Sequence, residues 1–256
     1  MKIIFRNIAF ISILVLSLIS CGNKDKPQSG QIKIYLTDVP AFYDKVIIDI
    51  QSVEVITDKS KNPIALNLVR DLPVNLLLFS NGLDTLLASG NVKIGTISEI
   101  RITLGDKNSV VIGGTEYVLD IPTEKESVLE LKVEQKIEDG EVYKFWVDFD
   151  ASRSVVKIGN NSYQLVPIAR AISESTSGSI KGQIFPRNAR PYVWACTLAD
   201  TIGTIADSTG YFLIKNLPAD TYNLRILPQA GLEEIIIEKI IVESGKITDA
   251  GSIVLN

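Results

Sequence analysis

Short segments rich in Val, Ile, Thr and Tyr recur along this chain, alternating apolar with polar residues and punctuated by Gly, Asn and Asp. A period of two puts alternate side chains on opposite faces of an extended strand, so this pattern points to an all-β sandwich or barrel. Ile32, Ile34 and Leu36 alternate with Lys33, Tyr35 and Thr37. Val46, Ile48 and Ile50 share one parity, whereas Val53 and Val55 take the other, which predicts a bulge near Gln51-Ser52. Gly113-Gly114, Asp139-Gly140 and Asn160-Asn161 each separate two apolar segments and predict three tight hairpins. One helix is expected over Gly82–Ser89, with Asn81 as its cap, Asp84 in its first turn, Gly90 at its end, and Leu83, Leu86 and Leu87 as its apolar stripe. The expected fold is therefore all-β, with two β-sandwich domains in tandem and one short helix in the first.

The N-terminus has a different character. Lys2 and Arg6 precede an apolar run from Ile8 to Ile19, broken only by Ser12 and Ser17. This run falls short of the ~20 apolar residues that a spanning helix needs. It has the build of a secretory leader. Leu18-Ile19-Ser20-Cys21 closes it and resembles the lipobox of bacterial lipoproteins. That resemblance implies cleavage before Cys21, acylation of Cys21 and anchorage to the membrane. Gly22, where an Asp would imply retention at the inner membrane, implies the outer membrane, with the body facing the periplasm or the medium. Residues 1–20 are thus read as signal peptide and 21–30 as a lipid-anchored tether.

Composition excludes several functions. Without residues 1–20, 24 basic and 30 acidic side chains remain, a net charge of −6. Nucleic-acid binding needs a basic face, so it is not expected. The chain has no histidine, which removes Ser-His-Asp and Cys-His sites and His-ligated zinc. No nucleophile elbow, Walker loop or dinucleotide fingerprint occurs. No cofactor and no enzymatic activity are expected. With Cys21 acylated, Cys196 has no disulfide partner, and stability falls to the hydrophobic cores.

Two stretches resemble known families. Residues 31–172 resemble the exported bacterial family called domain of unknown function 4382. The resemblance is carried by Leu36-Thr37-Asp38-Val39-Pro40, Tyr43-Asp44-Lys45-Val46, Glu99–Asp106, Gly114–Tyr117 and Val147–Val156. It implies a secreted β domain and no established activity. Residues 178–256 resemble the carboxypeptidase regulatory-like domain, a transthyretin-type sandwich also grouped with starch-binding-like folds. Its carriers are Gly182-Gln183-Ile184, Asp207–Phe212, Leu217–Tyr222 and Gly245–Asp249. The resemblance implies a scaffold and no peptidase activity, since the catalytic part and its histidines are absent. The second domain is placed at 180–256, and the polar stretch Ser173–Ser179 is read as the interdomain linker.

Three sets of side chains stand out. Tyr192 and Trp194 alternate with Val193 and Ala195, which places both rings outward if the aliphatics face the core. Outward rings are a candidate platform for stacking on sugars, or they cover the interdomain contact or a sheet edge. Asp148 and Asp150 share one strand face and, with Asp38, Asp44 or Asp49, are weak calcium candidates. The competing reading is a solvated face with Asp38 and Asp44 capping turns. Trp146 is expected to be half-buried or under a loop, and Cys196 to be an unactivated thiol. The expected partners are the membrane through Cys21 and either a glycan or a cell-surface protein.

Overall fold

The structure, a computed structural model, describes residues 28–38, 41–69, 73–228 and 233–256. The leader, Cys21 and most of the tether lie outside the described residues. The first unit contains β1 (Ser29–Asp38), β2 (Lys45–Ile48), β3 (Ile50–Thr57), β4 (Ser60–Ala65), β5 (Asn67–Leu68), β6 (Val74–Asn75), β7 (Thr85–Lys93) and β8 (Gly95–Leu104). It continues with β9 (Ser109–Ile112), β10 (Thr115–Asp120), β11 (Val128–Ile137), β12 (Val142–Phe149), the single turn α1 (Ala151–Ser154), β13 (Val155–Gly159), β14 (Ser162–Leu165) and β15 (Ala169–Ser173). The second unit contains β16 (Ser177–Phe185), β17 (Tyr192–Cys196), β18 (Thr201–Ile205), β19 (Tyr211–Pro218), β20 (Asp220–Leu227), β21 (Ile235–Val242) and β22 (Ile247–Val254).

The chain forms tandem β-sandwich domains, each around its own core. Three sheets enclose the first core, ordered β15-β12-β1-β7-β5, β13-β14-β10-β9-β2-β6 and β11-β8-β3-β4. Two sheets, β19-β16-β22 and β18-β17-β20-β21, enclose the second. The alternation holds where it was clearest: Ile32, Ile34 and Leu36 are fully buried on one face of β1. Burying each such side chain favours folding by roughly 1.5–3 kcal/mol.

The parity switch after Ile50 has a structural cause. Register against β8 shifts between Ile50 and Ser52, as the sequence predicts. The chain also changes sheets there, since β2 pairs with β6 and β9, whereas β3 pairs with β4 and β8. Asp49 holds this crossing. Its N–H donates to Asn108 Oδ1 at 2.9 Å, its carbonyl accepts from Gly105 N at 2.7 Å, and its carboxylate accepts from Gln51 Nε2 at 2.7 Å. A methyl group at residue 105 would lie 2.3 Å from Asp49 Oδ2, so the buried carboxylate would have to shift. Gly105→Ala is therefore expected to cost about 1–3 kcal/mol by overpacking. Urea denaturation checks this, and an unchanged midpoint would count against the role assigned to Asp49.

Two expectations need correction. Residues 85–93 form β7 rather than a helix. Leu87 has no counterpart on β1, because Leu86 lies opposite Tyr35 and Ala88 opposite Ile34. This bulge buries Leu87 and Ala88 side by side, which breaks the alternation and imitates a helical stripe. The nearby helical element is a 3-10 turn over Leu76–Phe79, capped by Asn75.

Asp139-Gly140 makes a turn but no hairpin. β11 pairs with β8, while β12 enters another sheet parallel to β1. The turn is tied to the start of β1, with Ser29 N donating to Asp139 Oδ1 at 2.9 Å and Gly140 N to the Ser29 carbonyl at 3.0 Å. The other two pairs do close hairpins, with Gly113, Gly114 and Asn161 at positive φ.

The Ser/Thr-rich stretch 173–179, read as the interdomain linker, is ordered by local structure. It holds the end of β15, a 3-10 turn over Glu174–Thr176, and the start of β16. Ser173 and Ser175 hydroxyls donate to Gln135 Oε1 at 2.8 and 3.1 Å. Gly178 permits close packing, since a methyl there would sit 2.3 Å from the Glu243 carbonyl. Small polar residues serve local hydrogen bonding here rather than looseness.

Candidate functional site

Of the sequence-derived candidates, Asp148, Asp150 and Tyr192 lie at the junction of the two units. Asp148 lies near the end of β12, and β15 runs antiparallel beside it with Arg170 directly opposite. Arg170 donates to Asp148 Oδ2 from Nε at 2.9 Å and from a terminal nitrogen at 2.6 Å. Its other terminal nitrogen reaches Asp200 Oδ2 of the second unit at 3.1 Å. One guanidinium thus ties two strands of the first unit to the turn between β17 and β18.

The expected solvated face is therefore corrected: Asp148 is only 6% exposed. Burial pushes its carboxyl above the usual carboxylate range, and Arg170 only partly offsets this. Asp150 is also buried and raised, chiefly by burial, while it caps α1 by accepting from Arg153 N at 2.9 Å. Asp38 accepts from Ala151 N at 3.1 Å and Asp44 from Gly114 N at 2.9 Å, which is the turn-capping role the sequence suggested. Among the described residues no group of three or more His, Cys, Asp or Glu is placed to hold a metal ion.

Val193 and Ala195 face the second core, and Tyr192 and Trp194 take the outer face of β17. The rings of Tyr192 and Trp194 are nearly parallel, 5.9 Å apart. Tyr192 is nevertheless only 3% exposed. Phe42 of the first unit lies over it at 4.2 Å and is itself 75% exposed. Burial pushes the Tyr192 phenol up to about 12. Trp194 lies across Gly203, where a methyl group would come within 2.2 Å of the indole.

A third contact is the tight turn before β7. Asn81 and Gly82 both have positive φ. Asn81 Oδ1 accepts from Leu213 N at 2.9 Å, and a methyl on Gly82 would lie 2.7 Å from Leu213 Cδ2. Asp84 accepts from Trp146 Nε1 at 3.0 Å and stands 3.5 Å from Lys215 Nζ. Trp146 stacks on Tyr35 at 5.5 Å and is half-buried, as expected. The first unit thereby covers the β18 and β19 side of the second sandwich.

Elsewhere, a groove of about 610 Å³ opens beside the sheet crossing, lined in part by Asp49, Gln51, Lys107, Asp120 and Thr123. The sequence reading did not single out Phe42 or Arg170, and it gave Asn81 only as a helix cap. Arg170 carried a signal, as a lone cation amid Ile168, Ala169, Ala171 and Ile172.

The model of a family described as domain of unknown function (DUF4382) matches residues 29–167, more than half of the chain. The chain belongs to the DUF4382 family. The match covers the sheet crossing, the groove and Asp148, whereas Arg170 and the second sandwich lie beyond it. No curated protein matches the chain. Among solved structures, the Bacillus anthracis TIE protein aligns at 13% identity and a TM-score of 0.25, covering 90% of this chain and 34% of its own. A leucine-rich repeat protein from Bacteroides thetaiotaomicron aligns at 13% identity and a TM-score of 0.20, covering 88% and 26%. The major pilin subunit BcpA of Bacillus cereus aligns at 12% identity and a TM-score of 0.22, covering 90% and 70%. The chain thus spans about a third or less of the first two proteins. Likenesses this low leave the role of the DUF4382 unit to be argued from its own geometry.

Proposed function

We propose that this chain is a non-catalytic envelope protein, anchored at the outer membrane through an acylated Cys21, whose second sandwich is a protein-interaction module. One observation carries the reading. The β18 and β19 side of that sandwich is covered by the first unit, whereas β21, at the far side of its sheet, pairs with β20 alone among the described strands. Five of the eight residues of β21 are isoleucine. Ile236 and Ile241 are 56% and 61% exposed. Exposed aliphatic edges promote pairing with another chain.

The carboxypeptidase regulatory-like scaffold suits such a role, being a sandwich with free edges. Stacking of a glycan on Tyr192 and Trp194 is the weaker reading, because Phe42 occupies the face of Tyr192.

A photo-crosslinking residue introduced at position 236 or 241 of the full chain in intact cells tests the proposal. Protein adducts are expected from both, and not from the exposed position 158 on β13. No adduct at either position would overturn the interaction reading. Cys21→Ala is expected to release the protein from the membrane fraction, and retention there would overturn the anchor.

A further inference from the structure

β21 reads Ile-Ile-Ile-Glu-Lys-Ile-Ile-Val, a sequence with an approximate two-fold about the Glu238-Lys239 step. The structure gives the strand the same symmetry. Lys239 has φ of +63° and donates its N–H to Asn223 Oδ1 at 3.2 Å. Register against β20 shifts there, so Glu238 and Lys239 together oppose Asn223. Without this bulge, Ile237 and Ile240 would point to opposite faces. With it, Ile237 lies opposite Leu224 and Ile240 opposite Tyr222, so both face the core. Ile236 lies opposite Arg225 and Ile241 opposite Thr221, so both face outward.

We propose that β21 pairs antiparallel with β21 of a second copy, across a two-fold axis at the Glu238-Lys239 step. This rests on the interaction reading and names its partner. Cross-strand neighbours must share a face. In this register Ile236 meets Ile241 of the second copy outside, and Ile237 meets Ile240 of the second copy inside. Glu238 meets Lys239 of the second copy, and this opposite-charge pair occurs twice. A strand edge that carries its own complement needs no other sequence, as a closed two-fold interface requires. The bulge and the central charges, which blunt an edge against strands of other sequence, act here as the registration mark. The Thr248 hydroxyl donates to the Ile241 carbonyl at 2.6 Å, one of that oxygen's two acceptor positions.

Sedimentation of the full chain in detergent tests the pairing. The parent is expected to dimerise. Lys239→Glu sets two glutamates against each other across each half of the axis and is expected to weaken the dimer about tenfold or more. Combining it with Glu238→Lys exchanges the charges, restores complementarity and is expected to restore the dimer. The rescue separates an interface effect from a folding defect. A monomer at all concentrations, or a dimer indifferent to both variants, would overturn self-pairing. Adducts at positions 236 and 241 with a different protein would then leave the interaction reading standing, whereas no adducts at all would remove both.

Discussion

Replacing Arg170 with alanine lowers stability at neutral pH by about 3–5 kcal/mol, the usual result of removing one partner of a buried ion pair. The carboxylate left behind, Asp148, has 7% of its side chain exposed and receives both of its ion-pair hydrogen bonds from Arg170. Asp200, with 44% of its side chain exposed, contributes far less, so Asp200→Ala costs at most about 1 kcal/mol.

The effect of Arg170→Ala depends on pH with a definite sign. Burial already holds the folded-state affinity of Asp148 for a proton above that of the unfolded chain. A carboxyl raised in this way favours the folded state at low pH, and that advantage is lost as pH rises through the window above the ordinary carboxylate range. Removing the guanidinium raises this carboxyl further and widens the window. The cost of the substitution is therefore greatest at neutral pH and shrinks as pH falls toward 4. Combining it with Asp148→Asn recovers much of the loss, because no buried charge remains. Urea denaturation of the three variants between about pH 4 and pH 8 measures this. An Arg170→Ala variant as stable as the parent at pH 7 would contradict the assignment.

Alkaline pH has the second large effect. Burial pushes the phenols of Tyr192 and Tyr222 up to about 12, from an ordinary value near 10. Tyr222 is only 2% exposed and donates its hydroxyl to the Pro218 carbonyl at 2.9 Å. Both phenols are neutral in the folded and unfolded states below pH 10. Between 10 and 12 the unfolded chain releases these protons and the folded chain retains them. The contribution to stability is thus complete below 10 and is lost as pH rises toward 12, by on the order of 2–3 kcal/mol for each tyrosine. Absorbance titration of the tyrosinates is expected to show the Tyr192 and Tyr222 phenols ionising last, together with unfolding. Tyr192→Phe keeps the ring under Phe42 and removes one of them. A titration in which every tyrosine ionises near 10 with the fold intact would contradict this burial.

Strand by strand, what could be read in advance was whatever a residue's immediate neighbours decide. Alternation in β1, the parity change at Gln51-Ser52 and the Gly113-Gly114 and Asn160-Asn161 turns are steric properties of a few consecutive residues. In β17 the same rule set Val193 and Ala195 apart from Tyr192 and Trp194, while the choice of which pair faces the core came from the family resemblance. Where a bulge disturbed the alternation, as at Leu87, the rule produced a helix that the chain does not form.

The amino-acid order by itself determined an all-β chain without histidine chemistry, and the strand parities where alternation is unbroken. Only the tertiary structure decided that β12 lies parallel to β1, that Asp148 is buried against Arg170, and that Phe42 closes over Tyr192. Parity says which way a side chain points. Whether water, a guanidinium or another ring meets it there depends on segments distant along the chain, which only the tertiary fold brings together.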